Sequence, residues 1–457
     1  MISIEEWNAR IDAFVREENR NIGKKVPVRR IFCQDDTDRS GGGIYNETVT
    51  LDTIGRFARA LGDSNPLFSD PRYRPGGGAG IMPASTLHSG PGAAGPLQAP
   101  PLLECCICST FIGGKMPRLR GISVYDAGTK WERFLPICPG DSFSAQTTFL
   151  GVTEVSGNAS AGVSAEASPA ARLLLREHQI DLTNQRGEHV SRLTARSIIK
   201  CAPPLQNTFP DLSADSAGVR NESRKTDYGT AKVHSGFREL SAETTAAAEQ
   251  DPKGGRPHYT EAELERVYAN LDLQLAGGFR RGPEPRYWED VEIGQELPEE
   301  IVGPYDESDG QALMAAIGAA NAFATKWASI RFRKGQGITD PETGAHRHPI
   351  DRHNSDVMAR AQGLPRAIAS GIHTQALLAK SVGDWMGDAG FLRTLDCRCR
   401  RPLYFGALSI QCGIVAGKYE KDGKCYVKLH MQAVRQDSVV HTMAEALVEL
   451  PSRRTFS

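Results

Sequence analysis

The chain has 457 residues, enough for two or three domains that each bury a sizeable core. Hydrophobic residues make up 40% and charged residues 24%, the balance of an ordinary globular protein rather than a disordered or fibrous one. With 54 basic against 55 acidic side chains the net charge is -1, so nothing draws the chain toward nucleic acid or an anionic membrane, and no apolar run approaches the roughly 20 residues that cross a bilayer.

In chain order, Met1 to Gly23 is charged and reads as a surface helix rather than a signal peptide. Thr53 to Leu61 places Ile54, Phe57 and Leu61 at helical spacing and runs into Gly62-Asp63-Ser64-Asn65-Pro66-Leu67. Pro75 to Pro96 is too rich in Gly and Pro for regular structure and reads as a lid or loop that carries His88. Cys105-Cys106-x-Cys108 lacks zinc-site spacing, as does Cys397-x-Cys399. Reduced, buried thiols of a cytoplasmic protein are expected instead. Ser142 to Val152 and Gln185 to Ile199 are strand-like.

Residues 206–285 change character: Ser, Ala, Gly and charge dominate, and apolar periodicity is lost until Thr260-Glu-Ala-Glu263 starts a helix with capping-box spacing. This segment is expected to be a linker that crosses between residues 1–205 and 286–457. The second part then repeats the first. Asp309 to Ile317 is again a helix-like run, followed by Gly318-Ala319-Ala320-Asn321, with Gly and Asn in the register of Gly62 and Asn65. Ala319 stands where the first copy has Asp63. Pro402 and Gly406 match Pro136 and Gly140, and each pair precedes a strand-like stretch, Leu408 to Val415 in the second copy. Gln436 to Leu450 closes the second part as Gln185 to Ile199 closes the first. Two halves are expected, each with a helix followed by long antiparallel strands.

The pattern Phe57-Ala-x-x-x-Gly-Asp63-x-Asn65-Pro66-Leu67-Phe68-x-Asp70 resembles the hydratase motif of the MaoC-like, R-specific enoyl-CoA hydratase family, as does Ala99-Pro-Pro-Leu-Leu103. In the second half, His353 to Pro365 and Ala367-Ile-Ala-Ser-Gly371 are similar to the family's His-containing stretch and its Gly-ended turn. Trp385 to Gly390 and Leu450 to Arg453 fit the subgroup with an N-terminal FAS1-like dehydratase domain. The resemblance implies an α+β double hotdog, two helix-wrapped antiparallel sheets forming a pseudo-dimer within one chain. It implies a hydro-lyase that adds or removes water at a 2-enoyl or 3-hydroxyacyl thioester. Coenzyme A is then the carrier of the substrate; no cofactor and no metal are expected, and a homo-oligomer, dimer or higher, is.

Hydration of an enoyl thioester needs a base for the water proton, an acid for C2 and donors for the enolate oxygen. The family supplies an Asp and a His from one motif, and neither half here keeps both. Phe68 stands at the His position of the first half; the second loses the carboxylate at Ala319 but has His353, with Ser355 where an Asp commonly follows. Three arrangements stay open. The preferred one uses His353 with Asp351 or Asp356, and Gly371 and Ile372 as oxyanion donors. The second pairs Asp63 and Asn65 with His88. The third combines the two halves across their junction. Arg400 and Arg401, with Arg398, are candidates for the CoA phosphates. A hotdog that binds thioesters without turning them over, or one that hydrolyses them through an acidic residue on its central helix, are the rival readings.

Overall fold

The computed structural model describes residues 3–28, 43–70, 72–73, 97–108, 122–155, 171–202, 255–318, 328–329, 332 and 337–454. His88, the rest of the Gly/Pro-rich segment, Ala319, Asn321 and most of the linker lie outside them.

Ten strands form one antiparallel sheet, and its order exposes the duplication. From one edge to the other they run β1 (Lys25–Pro27), β3 (Phe143–Val155), β4 (Arg172–Asn184), β5 (His189–Cys201), β2 (Ile122–Arg133), β9 (Phe391–Cys399), β12 (Val440–Leu450), β11 (Lys424–Val434), β10 (Ser409–Lys421) and β6 (Glu300–Val302). The short strands β7 (Ile338–Thr339) and β8 (His346–Arg347) pair only with each other. Read outward from the centre, β2-β5-β4-β3 mirrors β9-β12-β11-β10. Even the irregularities repeat: β3 bulges between Phe149 and Gly151, and β10 between Val415 and Gly417.

The halves join where β2 pairs with β9, with Lys130, Trp131 and Glu132 opposite Asp396, Leu395 and Thr394. This junction is fixed by polar contacts as well as by the ladder. Arg196 reaches Asp396 across it at 2.7 Å. Gln375 Oε1 accepts from both the Thr129 amide and the Trp131 indole, each at 3.1 Å.

Helices cover the sheet as their apolar stripes require. In α2 (Leu51–Ala60), Thr50 caps the first turn, and Ile54 and Phe57 are fully buried. A capping box of Asp306 and Asp309 starts α5 (Glu307–Ile317), and Gly318, at φ +92°, ends it in the left-handed conformation that glycine adopts without strain. Both helices feed one core that also holds α3 (Glu104–Ile107) and α7 (Gly371–Met386), the latter following the short α6 (Asp356–Arg360). On α7 every residue from Ile372 to Met386 is buried except Gly383. It is the central helix of the second half.

Two expectations need adjustment. The N-terminal helix α1 (Ile4–Asn19) is not wholly a surface element, because Trp7 and Ile11 bury against Phe149, Val152, Leu174 and Ile199. The end of the linker is tied to the second half: α4 (Glu261–Leu275) carries the predicted Thr260–Glu263 capping box, and the Tyr259 hydroxyl donates to the Gly406 carbonyl at 2.8 Å.

Candidate active site between the halves

The central helix α7 organises both candidate centres, one at each end. Gly371 and Asp384 are 13 residues apart on it, which at 1.5 Å per residue separates them by about 20 Å. One water molecule cannot serve both.

At the N-terminal end sits His353, in a short 3-10 helix (Pro349–His353). Its Nδ1 lies 2.9 Å from the Ile368 carbonyl oxygen, which can only accept, so Nδ1 carries the proton and Nε2 the lone pair. Burial, helped by the charge of Arg352, lowers its pKa from 6.5 to about 3, with the Ile368 carbonyl pulling the other way. The expected carboxylate partners are elsewhere. Asp356 accepts from the Ala367 amide at 2.8 Å and faces Arg256 at 3.5 Å. Asp351 is shifted upward by burial, which the charge of Arg347 opposes. Neither is hydrogen-bonded to His353, so the predicted His–Asp pairings are not formed; a backbone carbonyl takes their place.

The expected oxyanion donors meet a second obstacle. The first turn of α7 packs against Asp126 of β2, and a Cβ on Gly371 would fall 2.7 Å from Asp126 Oδ2. That carboxylate is held by the Gly128 amide at 2.7 Å and by Gln375 Nε2 at 3.1 Å, and burial raises it to about 6. A resident carboxylate therefore packs against the helix start at Gly371. One residue on, His373 is structural: Nε2 donates to the Ala60 carbonyl at 2.8 Å, which leaves Nδ1 to accept from the Tyr305 hydroxyl at 2.9 Å. The neighbouring histidines are also engaged. His346 stacks on Phe332 with ring centroids 3.7 Å apart, and His348 Nδ1 accepts from the Ile350 amide.

At the C-terminal end of α7 the two halves line one cleft. Asp63, Asn65, Leu67, Phe68 and Arg133 come from the first half, and Lys380, Asp384, Met386, Asp388 and Phe391 from the second. The turn after α2 aims Asp63 there. Its amide donates to Ala58 O, and its Oδ1 accepts from the Asn65 amide at 2.9 Å. Asn65 Oδ1 in turn accepts from the Leu67 amide, while its Nδ2 donates to Asp388 Oδ1 at 3.1 Å. Asp388 also accepts from the Tyr73 hydroxyl at 2.5 Å. No histidine lines the cleft among the described residues.

Charge in the cleft is unbalanced. Lys380 Nζ lies 2.7 Å from both Glu300 and Asp384, so one buried ammonium serves two buried carboxylates. Asp63 adds a third. Burial first, and then the charge of Asp384, push it from 3.8 to about 6; Lys380, the Asn65 amide and Arg280 only partly oppose this. Across the cleft Arg133 pairs with fully buried Glu104 at 3.1 Å and lies over the Phe391 ring.

Lys380, Asp384 and Arg133 are absent from the sequence-derived set. A signal for the first two exists: a Lys and an Asp one helical turn apart, with Ala376 to Ala379 before them and Val382, Trp385 and Met386 around them. Long charged side chains are almost never fully buried unless paired, so such a pair marks a buried polar site. The basic cluster falls far from this cleft. The Arg400 and Arg401 amides donate to the His441 carbonyl just past β9, whose other end, Phe391, lines the cleft. At about 3.3 Å per residue they are some 30 Å away, too far to hold the phosphates of a ligand whose head sits close by Asp63.

No family model matches this sequence, and no curated protein matches it. Similar solved structures include a MaoC-like dehydratase, 14% identical, with TM-score 0.49 over 95% of this chain and 100% of that one. A MaoC domain protein dehydratase from Chloroflexus aurantiacus is 12% identical, with TM-score 0.46 over 95% and 96%. A Mycobacterium tuberculosis protein described as having a double hotdog fold is 14% identical, with TM-score 0.44 over 94% and 96%. The mirrored ten-stranded sheet of the present chain, with its buried central helix, is a double hotdog. Among the described residues no helix is long and apolar enough to cross a membrane.

Proposed function

We propose that this double hotdog is a hydro-lyase acting on a 2-enoyl or 3-hydroxyacyl thioester, and that its chemistry belongs to the cleft between the halves. The observation that carries the reading is Asp63: a carboxyl poised near 6 in a cleft lined by both halves. A group that titrates close to neutrality can exist in both the acid and the base form that water addition needs. The hydratase-like motif around Asp63 supports the reaction class. Leu67, Phe68, Met386 and Phe391 give the cleft an apolar wall. Coenzyme A as the carrier and a cytoplasmic setting belong to the same proposal.

Hydration of crotonyl-CoA, followed by loss of enoyl absorbance, tests it. Asp63→Asn is expected to lower kcat by about 10² to 10⁴, the usual contribution of a positioned acid or base. His353→Ala, at the other end of α7, is expected to stay within a few-fold of wild type. The reverse pattern would move the chemistry to His353.

One observation favours a second reading. Asp384 is an acidic residue on the central helix that lines the cleft, as a hotdog thioesterase requires. Thiol release from acyl-CoA without loss of enoyl absorbance would establish that reaction in place of hydration.

A further inference from the structure

Phe68 fills the position at which the hydratase-like motif has its second proton-transfer group, and phenylalanine cannot move a proton. The described part of the cleft contains another group that can. Asp384 lines the same cleft as Asp63 and is charge-coupled to it, although it comes from the opposite half and lies far away in sequence.

We propose that Asp63 and Asp384 act as a carboxyl–carboxylate pair across the junction, sharing one proton, with Lys380 as the positioning residue that assigns it to Asp63. The inference rests on the hydro-lyase reading for its reaction, while the pairing itself is a property of the protein.

The assignment follows from geometry. Asp384 Oδ2 is 2.7 Å from the buried Lys380 ammonium, whereas Asp63 has its near hydrogen bond from a backbone amide. Of the two aspartates, the one in direct contact with the cation keeps its charge at least cost and the other takes the proton, since two buried like charges cannot both ionise freely. Glu300, also 2.7 Å from Lys380, is pushed up by burial to about 7 despite that contact, so it competes with Asp63 for protons and leaves the cation unable to neutralise the whole cluster. Other charges around Asp63 are Arg280, next to the end of α4, and Arg133 and Asp388 in the cleft lining.

The reaction then balances. The Asp384 carboxylate takes a proton from water as its oxygen bonds to C3. The C2=C3 π pair moves toward the thioester carbonyl, and C2 receives the proton from the Asp63 carboxyl. Water has been added across the double bond, with the pair left in reversed charge states. One proton passing from Asp384 to Asp63 restores it. Dehydration is the same path backward.

Two measurements decide the proposal. The first is the titration midpoint of the Asp63 carboxyl, read by NMR in protein labelled with ¹³C at the aspartate carboxyl carbon and assigned by its loss in Asp63→Asn. In Asp384→Asn the midpoint is expected to fall by roughly one pH unit or more, the scale of removing a coupled like charge from a buried site. In Lys380→Gln it is expected to rise. A midpoint that stays put in Asp384→Asn overturns the pair, and this readout needs no turnover. Should Lys380→Gln fail to fold, Asp384→Asn still decides, because asparagine removes only the charge.

The second is crotonyl-CoA hydration. Asp384→Asn is expected to lose about 10²-fold or more in kcat and to move the pH limb governed by Asp63 to lower pH. Wild-type kcat with an unmoved limb in that variant overturns the catalytic role of Asp384. Wild-type protein that hydrates no enoyl-CoA, yet shows the Asp63 midpoint moving as described, retires the hydration reading and leaves the proton-sharing pair standing.

Discussion

Replacing Asp63 by asparagine removes one charge and keeps the local turn, because an asparagine Oδ1 can accept from the Asn65 amide as the carboxylate does at 2.9 Å. The folded-state pKa is raised from 3.8 to about 6 by burial and by Asp384. A raised carboxyl binds its proton more tightly in the folded state than in the unfolded chain, so folding is disfavoured wherever the unfolded chain ionises more readily. That cost is absent well below the unfolded pKa of 3.8, grows as pH rises toward the folded value of about 6, and is constant above it. At about 1.4 kcal/mol per pH unit it reaches about 3 kcal/mol at pH 8 and about 1 kcal/mol at pH 4.5. The Asp63→Asn variant carries no ionisable group there, so it is expected to be more stable than wild type by about those amounts, while losing turnover. Urea unfolding of both proteins at the two pH values measures this directly. A variant that is less stable than wild type at pH 8, or whose advantage does not change with pH, would show that Asp63 is a turn residue without a strained charge. A gain in stability with a loss of turnover is the mark of a side chain kept for function.

The opposite sign holds for the buried histidines. Burial lowers His178, His353 and His441 to about 3 and His373 to about 4, so each contributes fully above 6.5 and loses that contribution as pH falls. At pH 5 the loss is about 2 kcal/mol for each, against about 1 kcal/mol regained at each of Asp63 and Asp126 and about 2 kcal/mol at Glu300, which burial raises to about 7, so stability is expected to drop by about 4 kcal/mol between pH 7 and pH 5. Denaturant midpoints across that range check it; a flat profile would mean these histidines can protonate in place. At the junction, Gly128 has φ +103°, and an added Cβ would stand 2.2 Å from the Cys397 carbonyl oxygen. Gly128→Ala is expected to cost about 3 to 5 kcal/mol, through left-handed strain and overpacking together. A melt unchanged from wild type would show that β2 and β9 slide apart readily.

What the sequence conveyed about the fold came from repetition. Paired glycines and prolines, with the strand-like runs behind them, were enough to anticipate two halves, because turn residues report local backbone needs that survive long after side chains diverge. The helices at residues 51–60, 261–275 and 307–317 were legible for a similar reason: their caps and apolar spacing act within a few residues. The site was only half legible. Asp63 and Asn65 belong to a short motif, and a motif can be read along the chain. Lys380 and Asp384 belong to the cleft only because β2 pairs with β9 and sets the end of α7 beside the turn after α2, a consequence of tertiary pairing that no local spacing encodes. The surroundings of His353 were not legible for the same reason. Its neighbours in sequence, Asp351 and Asp356, suggested a dyad, yet the folded chain gives its Nδ1 proton to the Ile368 carbonyl and turns Asp356 toward the Ala367 amide.

The two ends of α7 do different physical work. In the second half the helix start at Gly371 is packed against Asp126, and the adjoining His373 is spent on holding Ala60 and Tyr305. Those contacts lock the halves together through buried groups of the kind that are costly to leave unpaired. Once the N-terminal end of α7 serves as the clasp, its C-terminal end is the part of the helix left to face a ligand. There Lys380 and Asp384 meet Asp63, the carboxylate that the first copy kept and the second replaced with Ala319. The two ends of one helix thus carry separate work: its start holds the halves together through buried contacts, and its end presents the charged cluster on which the proposed chemistry rests.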